Sequence, residues 1–155
     1  MTTIERSDRT AAELLDRVAI RETLEAYFSS IDRRDWNAYG ECFAEDARVE
    51  FNHRETQVVI GRQAIVRRAE ERRNRAISNH SMSSTHIELE GDRATAVTHG
   101  VTHIVVAKDG GTRIVVRGLI YEDELVAVED GVWRIKRRTH RPIWQYEAPA
   151  MPLGY

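Results

Sequence analysis

The chain has 155 residues, of which 41% are hydrophobic and 31% are charged, and its formal net charge is −2. This length suits one domain with a buried core, and two full domains are not expected. The near balance of charge disfavours a nucleic-acid binder, because such proteins usually carry a strong excess of basic residues. We therefore expect a single domain over residues 1–155, with a core over 9–140 and an extended tail over 141–155.

The cysteine content and the N-terminal segment limit the cellular compartment. Cys42 is the only cysteine, which excludes an intramolecular disulfide and a multi-cysteine zinc cluster. The first nine residues are polar and lack the apolar segment of a signal peptide. No apolar run approaches the roughly 20 residues that span a bilayer. The sequence therefore predicts a cytoplasmic protein with no membrane partner.

The first half of the sequence predicts helices. Thr10 and Glu13 have the spacing of a capping box, which would open a long helix that ends near Asp32. Apolar residues recur at helical spacing along it, from Leu14 to Ile31. The next predicted elements are a short helix from Asp35 to about Phe43, strands over 47–51 and 57–60, and a helix from Arg62 to Arg73. Charges of both signs on that last helix indicate a solvated face.

The second half predicts long strands that are joined by glycine-containing turns. They are expected over His80–Glu90, Arg93–Ala107, Thr112–Val128 and Val132–His140. The tail that follows contains all three prolines and is expected to be extended. Because the helices come first and the antiparallel strands follow as a meander, we predict an α+β fold with helices packed on one face of a curved sheet.

Asp32 is the most informative polar residue of the first helix. It follows Ile20, Leu24 and Phe28 at four-residue spacing, so a carboxylate ends an otherwise apolar row. If that carboxylate is buried at the edge of the core, it needs a partner. Two interpretations of Asp32 stay open. It is either a functional carboxylate or a helix-end aspartate that faces water or caps the next turn.

Histidines are the second class of candidate residues. The candidates are four that lie on the first two predicted long strands, His80, His86, His99 and His103, and histidine is the natural general base near neutral pH. His99 and His103 share a strand face but lie about 13 Å apart, too far for one metal ion. No zinc-ligand spacing, phosphate loop or dinucleotide fingerprint occurs. We therefore expect no metal and no cofactor, and a structural role for any single histidine stays open.

Several short motifs occur in a fixed order and together resemble one family. They are Asp32-Arg33-Arg34-Asp35-Trp36, Phe43-Ala44-Glu45-Asp46-Ala47, Gly61, His80, Gly91-Asp92 and Gly131-Val132-Trp133-Arg134-Ile135. From about Ala12 to His140 the chain resembles the SnoaL-like branch of the nuclear-transport-factor-2-like superfamily. Scytalone dehydratase, bile-acid 7α-dehydratase and hexachlorocyclohexane dehydrochlorinase belong to that branch. The resemblance implies a cone-shaped sheet that, with the helices, encloses an apolar pocket.

The same resemblance implies a set of site residues. Asp32 and His80 match the aspartate–histidine dyad of these enzymes, and Tyr27 and His103 match two further pocket positions. Together they imply a catalytic group of four side chains that works without a cofactor. A late pocket arginine of the family corresponds to one of two positions, 138 or 141, and the choice between them stays open.

The expected function is that of a cofactor-independent lyase of the dehydratase type, which acts on a small apolar or polycyclic molecule by general acid/base chemistry. Two alternatives stay open: an isomerase or cyclase that uses the same pocket, and a non-catalytic small-molecule binding or assembly module. The open curved sheet would leave an apolar outer face. We therefore expect a homo-oligomer, with a trimer favoured by the resemblance over a dimer.

Overall fold

A computed structural model describes residues 10–52, 55–73, 77–108, 110–129 and 131–150 of the chain. The described helices are α1 (Ala11–Arg33), α2 (Trp36–Glu41) and α3 (Arg62–Arg73). The described strands are β1 (Phe43–Asn52), β2 (Thr56–Ile60), β3 (Ile77–Glu90), β4 (Arg93–Lys108), β5 (Gly111–Glu129) and β6 (Val132–Pro149). Helices α1 and α2 thus precede a sheet that occupies most of the remaining chain, which confirms the predicted α+β class.

The first two helices begin where the sequence predicts, because polar side chains cap their first turns. Thr10 Oγ1 accepts a hydrogen bond from the Glu13 backbone N–H at 3.2 Å, and the Glu13 carboxylate accepts one from the Thr10 N–H at 3.0 Å. Asp35 caps α2 by accepting a hydrogen bond from the Ala38 N–H at 3.0 Å. Between the two helices, Arg34 adopts the left-handed backbone conformation that ends α1.

The six strands form one curved sheet in the order β2-β1-β6-β5-β4-β3. Strands β3 to β6 form the predicted antiparallel meander, and β1 and β2 pair as an antiparallel hairpin. Strand β1, however, runs parallel to β6, so the sheet is mixed and not wholly antiparallel as the sequence analysis expects. The two strands are far apart in the chain, and no short turn fixes their relative direction.

Helix α1 buries one side against the concave face of the sheet. Its buried apolar residues include Ile20, Leu24, Phe28 and Ile31. Leu14 and Val18, which the sequence analysis places in the same apolar row, are about half exposed. The step from Val18 to Ile20 turns the helix by about 200°, so these two side chains lie on opposite sides. No helix in the described part of the chain combines the length and apolar character needed to cross a membrane.

Strand β4 presents small buried residues to the helix side of the sheet. They alternate with more exposed residues along the strand and are Ala94, Ala96, Thr98, Gly100 and Thr102. A methyl group at Gly100 would lie 3.1 Å from the Ser81 carbonyl oxygen and 3.6 Å from the Phe28 ring. Small side chains on this face therefore let α1 approach the sheet closely, and the core lies between them.

The predicted tail is part of the sheet as far as Pro149. Residues 141–149 continue β6 and pair with β5, so the boundary expected at residue 140 is replaced by one long strand. Pro142 stands next to a register shift and Pro149 at the strand end, where a missing N–H is tolerated. Trp144 lies across Gly118, whose lack of a side chain leaves room for the indole. The tail residues 151–155 lie outside the described residues.

Candidate active site

The last turn of α1 and the edge strand β3 bring Asp32 and His80 into direct contact. His80 Nδ1 lies 2.5 Å from Asp32 Oδ1, and the His80 backbone N–H donates to Asp32 Oδ2 at 2.7 Å. Ser78 Oγ donates to Oδ1 at 2.8 Å. An edge strand leaves backbone N–H groups unpaired on its outer side. The Asp32 carboxylate satisfies one of these groups and orients the imidazole at the same time.

The carboxylate of Asp32 is held in its ionised form. Partial burial by itself raises the pKa of Asp32, but the hydrogen bonds and the charge of His80, with the Ser78 hydroxyl, outweigh it and lower the pKa below its ordinary value. The Asp32 side chain is 19% exposed, whereas the His80 side chain is 3% exposed. A shallow depression of about 490 Å³ on the outer side of the pair is lined by both residues.

The contact with Asp32 determines which nitrogen of His80 is available. An ionised carboxylate can only accept hydrogen bonds, so His80 Nδ1 carries the hydrogen of this contact. In the neutral ring the lone pair is then on Nε2. His80 also lines a large cavity on the concave side of the sheet. The arrangement can therefore present a base to a molecule bound in that cavity, with Asp32 positioned to stabilise the imidazolium.

The cavity has a volume of about 620 Å³, within the range of about 300–1,000 Å³ that is usual for small-molecule sites. Ile31, Ile104 and Val115 supply apolar wall, and all three are almost fully buried. Aromatic and polar side chains complete the interior, and arginines from α3 and β5 line it as well. Such a cavity can hold an apolar body and place a few polar groups against it.

Tyr27 lines this cavity. Its ring lies 4.0 Å from the Arg138 guanidinium carbon and 5.3 Å from the ring of Tyr39, measured between centroids for the two rings. Tyr39 is a second cavity-lining phenol, which the sequence analysis did not select as a site residue. Burial, and next the proximity of Tyr27, raise the pKa of Tyr39 well above its ordinary value. Tyr39 is therefore a neutral hydrogen-bond donor.

Of the two late arginines, Arg138 is buried and Arg141 is exposed. The Arg138 guanidinium donates to both carboxylate oxygens of Asp123, at 2.6 and 2.8 Å, and both side chains are 0% exposed. Burial by itself lowers the pKa of Arg138, but the adjacent Asp123 charge outweighs it and raises the pKa, so the group stays cationic. Arg138 does not line the cavity; it packs beneath Tyr27 and supports the floor. Arg141 pairs with Glu122 at 3.3 Å.

The structure places His103 away from the cavity, which corrects the expectation drawn from the family resemblance. His80 pairs with Thr102 across the β3–β4 ladder, whereas His103 pairs with Asn79. Neighbouring residues on a strand point to opposite faces, so Asn79 points away from the cavity that His80 lines. Directly paired residues point to the same face, so His103 points to the convex side together with Asn79. Its neighbour Ile104 lines the cavity instead. Sequence alternation groups His99 with His103 correctly, but it does not say which face is concave.

His140 is a cavity residue that the sequence analysis did not select. It lies on β6, where its ring centroid is 5.2 Å from that of Tyr121 and 5.5 Å from that of Phe51. It also lines the cavity together with His80. The available signal was its position two residues after Arg138, on the same strand face. Among the described residues, no group of three or more His, Cys, Asp and Glu side chains is placed to hold a metal ion.

The chain matches one family model and is similar to a mycobacterial protein. A family model described as a SnoaL-like domain matches residues 12–139. The uncharacterized protein Rv2910c of Mycobacterium tuberculosis is 28% identical over 144 residues, which cover 92% of this chain and 95% of that protein. The similarity thus extends over nearly the whole of both chains.

Two solved structures have a similar fold. A protein of Novosphingobium aromaticivorans, provisionally described as a scytalone dehydratase, has a TM-score of 0.75 at 22% identity and covers 95% of this chain and 99% of its own. A hexachlorocyclohexane dehydrochlorinase, LinA-type3 of Novosphingobium barchaimii, has a TM-score of 0.69 at 16% identity. The match covers 93% of this chain and 96% of that protein. At these identities the likeness concerns the fold.

Proposed function

Because the chain belongs to the SnoaL-like domain family, we propose that its cavity is the active site of a cofactor-independent lyase. The observation that carries this proposal is the contact between Asp32 and His80 at the wall of a cavity with apolar sides. A paired carboxylate and imidazole at the edge of an apolar space are the components of general base catalysis. The proposed substrate is a small, largely apolar carbonyl compound with a leaving group.

The proposed reaction removes a proton and a leaving group from neighbouring carbons. His80 Nε2 takes a proton from the carbon next to the carbonyl, and Asp32 stabilises the imidazolium that forms. The electrons of the broken C–H bond form a C=C bond while the C–O bond to the leaving hydroxyl breaks. The departing oxygen takes a proton from the Tyr27 phenol and leaves as water, and solvent returns a proton to the phenolate. Tyr27 and Tyr39, which both line the cavity, are the proposed donors to the oxygen atoms.

The names of two fold neighbours support elimination over the other reactions that a base in this cavity could catalyse. Two fold neighbours are described as a dehydratase and a dehydrochlorinase, and both names denote eliminations. Isomerisation or cyclisation would use the same base but would conserve the mass of the substrate. A binding module would need no oriented imidazole, whereas here one carboxylate accepts three hydrogen bonds that fix the imidazole and its strand.

The test uses 4-hydroxy-4-phenylbutan-2-one, an aromatic β-hydroxy ketone, in deuterated buffer. Mass spectrometry measures deuterium exchange at the carbon next to the carbonyl, and absorbance measures the conjugated enone formed when water is lost. We expect His80→Gln to lower both rates by about 10²–10⁴-fold. His99→Gln is the matched control, because His99 is an exposed histidine on the convex face, and it should keep the parent rates.

The rates of the His80→Gln variant and the products formed by the parent protein distinguish the three candidate functions. Full exchange and elimination by His80→Gln would contradict the proposal, provided that its circular dichroism spectrum shows the parent fold. Exchange without loss of water would favour the isomerase or cyclase alternative. Binding of the ketone to the parent protein without any exchange would favour a binding module.

We also propose that a second copy of the chain covers the convex face of the sheet. The rings of Trp144 and Tyr146 stack there with their centroids 6.3 Å apart, and the two residues are 47% and 56% exposed. Val97 and Ile77 add exposed apolar surface to the same face. Large apolar side chains that are exposed on one face of a sheet are typical of subunit contacts.

A further inference from the structure

The cavity is lined by three arginines that the proposed proton transfer does not use. Arg68 and Arg72 lie one turn apart on α3, and Arg117 reaches the cavity from β5. The mixed charges of α3 predict a solvated face. In the structure, Arg67 and Arg72 are both exposed and Arg68 is half-buried, but only Arg68 and Arg72 line the cavity. The helix thus directs two of its positive charges to the cavity.

Hydrogen bonds to two glutamine side chains and a contact with an aromatic ring help to position these arginines. Arg68 Nη2 and Arg72 Nη2 both donate to the same oxygen, Gln57 Oε1, at 3.1 and 3.3 Å. Arg117 Nε donates to Gln145 Oε1 at 2.8 Å. The guanidinium carbon of Arg68 lies 3.4 Å from the centroid of the Phe51 ring, which holds that side chain against the cavity wall. Two guanidinium groups therefore meet at one oxygen atom of the cavity lining, which concentrates positive charge there.

The charge balance of the cavity is opposite in sign to that of the chain. Among the described lining residues, the three arginines face one glutamate, Glu55, so the permanent charges sum to three minus one, or +2. The whole chain has a formal net charge of −2. The positive lining is therefore a local arrangement and not a consequence of composition. It lies next to apolar wall formed by residues such as Ile104 and Val115.

We propose that the ligand of this cavity is an amphipathic anion, whose carboxylate or phosphate group is bound by Arg68 and Arg72. Arg117 adds positive charge to the same cavity, and the apolar part of the ligand lies against the wall beside His80. The inference concerns binding. That the bound anion is also a substrate rests on the proposed function. Arginine suits this role because its planar guanidinium matches the geometry of both carboxylate and phosphate oxygens.

The test compares three probes that share one ring system: 2-naphthoate, 2-naphthyl phosphate and the neutral 2-naphthamide. Isothermal titration calorimetry at low salt gives their affinities, and competition between 2-naphthoate and 2-naphthamide shows that they occupy one site. We expect at least one anion to bind about tenfold or more tightly than the amide. Added salt should weaken the anions and leave the amide unchanged, because it screens the charge interaction. The tighter anion identifies the group as carboxylate or phosphate.

Variants locate the interaction. Arg72→Gln and Arg117→Gln should each weaken the preferred anion by about three- to tenfold and leave 2-naphthamide binding unchanged. Arg67→Gln removes the same charge from an exposed position of α3 that does not line the cavity, and it should change neither affinity. Equal binding of anions and amide, failure of both anions to bind, or equal effects of Arg67→Gln and Arg72→Gln would overturn the inference.

The result is separable from that of the proposed lyase. Loss of exchange activity in His80→Gln does not alter these affinities, since the arginines and not the imidazole bind the anionic group. A protein that prefers the anion but shows no dependence of exchange on His80 would keep the ligand class and lose the lyase. A protein with His80-dependent exchange and no preference for the anion would keep the lyase and lose the ligand class.

Discussion

The buried ion pair between Arg138 and Asp123 allows a quantitative prediction about stability. Arg138→Met would leave the Asp123 carboxylate in a site where its side chain is 0% exposed and where its two hydrogen bonds to the guanidinium are lost. Breaking a buried pair from one side costs about 3–5 kcal/mol, because an uncompensated charge stays buried. Since a domain is stable by only about 5–15 kcal/mol, this is a large fraction of the total.

The structure adds a second contribution to the same substitution. The Arg138 guanidinium carbon lies 4.0 Å from the Tyr27 ring centroid and 4.7 Å from that of Tyr121. Cation–π contacts of buried groups contribute about 1–2 kcal/mol. We therefore expect the loss for Arg138→Met to lie toward the upper end of the range above, and we expect the Tyr27 side of the cavity floor to loosen with it.

Urea unfolding followed by circular dichroism measures the effect in a set of matched variants. The double variant Arg138→Met/Asp123→Leu removes both charges, and we expect it to recover most of the loss, because replacing a whole buried pair by apolar residues is often neutral. Arg141→Met, which breaks a half-exposed pair, should cost less than about 1 kcal/mol. The reasoning is refuted if Arg138→Met costs no more than Arg141→Met, or if the double variant is no more stable than the single one.

Two further predictions concern acid stability and assembly. Because contacts with His80 and Ser78 hold the pKa of Asp32 below its ordinary value of 3.8, Asp32 contributes stability that is present above that pH and is lost as the pH falls through the lowered pKa. Asp32→Asn should therefore show a smaller loss of urea midpoint than the parent on acidification below about pH 4, and an identical slope would contradict the assignment. Trp144→Glu should lower the molar mass of the protein in light scattering coupled to size exclusion, and an unchanged assembly would argue against a subunit contact on the convex face.

The parts of the fold that the sequence predicts well depend on interactions between residues that are close in the chain. The start of α1 follows from a hydroxyl and a carboxylate three residues apart, and both hydrogen bonds of that capping box are present at Thr10 and Glu13. Hairpins of the meander follow from glycine-containing turns, where Gly91 and Gly131 adopt positive φ angles. These features depend on neighbouring residues in the chain, so the sequence alone contains the information.

The features that the sequence did not predict depend on distant parts of the chain. The parallel pairing of β1 with β6 is one such case, because no turn connects them. The position of His103 is another, because strand alternation gives two faces without saying which one meets α1. In retrospect, small residues such as Ala96 and Gly100 mark the face that a helix can approach, and they alternate with the two histidines that point away.

The contact between Asp32 and His80 joins these two kinds of information. The apolar row of α1 indicates that a carboxylate ends at the edge of the core, but its partner lies 48 residues away on the edge strand. One oxygen of Asp32 accepts from the backbone of β3 and the other from the ring of His80, so the same side chain closes the sheet edge and orients the base. An asparagine at position 32 can still accept from the backbone N–H, whereas its amide cannot stabilise an imidazolium as a carboxylate does. A loss of rate in Asp32→Asn that persists at temperatures and urea concentrations where the variant is fully folded therefore separates the chemical role of the carboxylate from its role in holding helix and strand together.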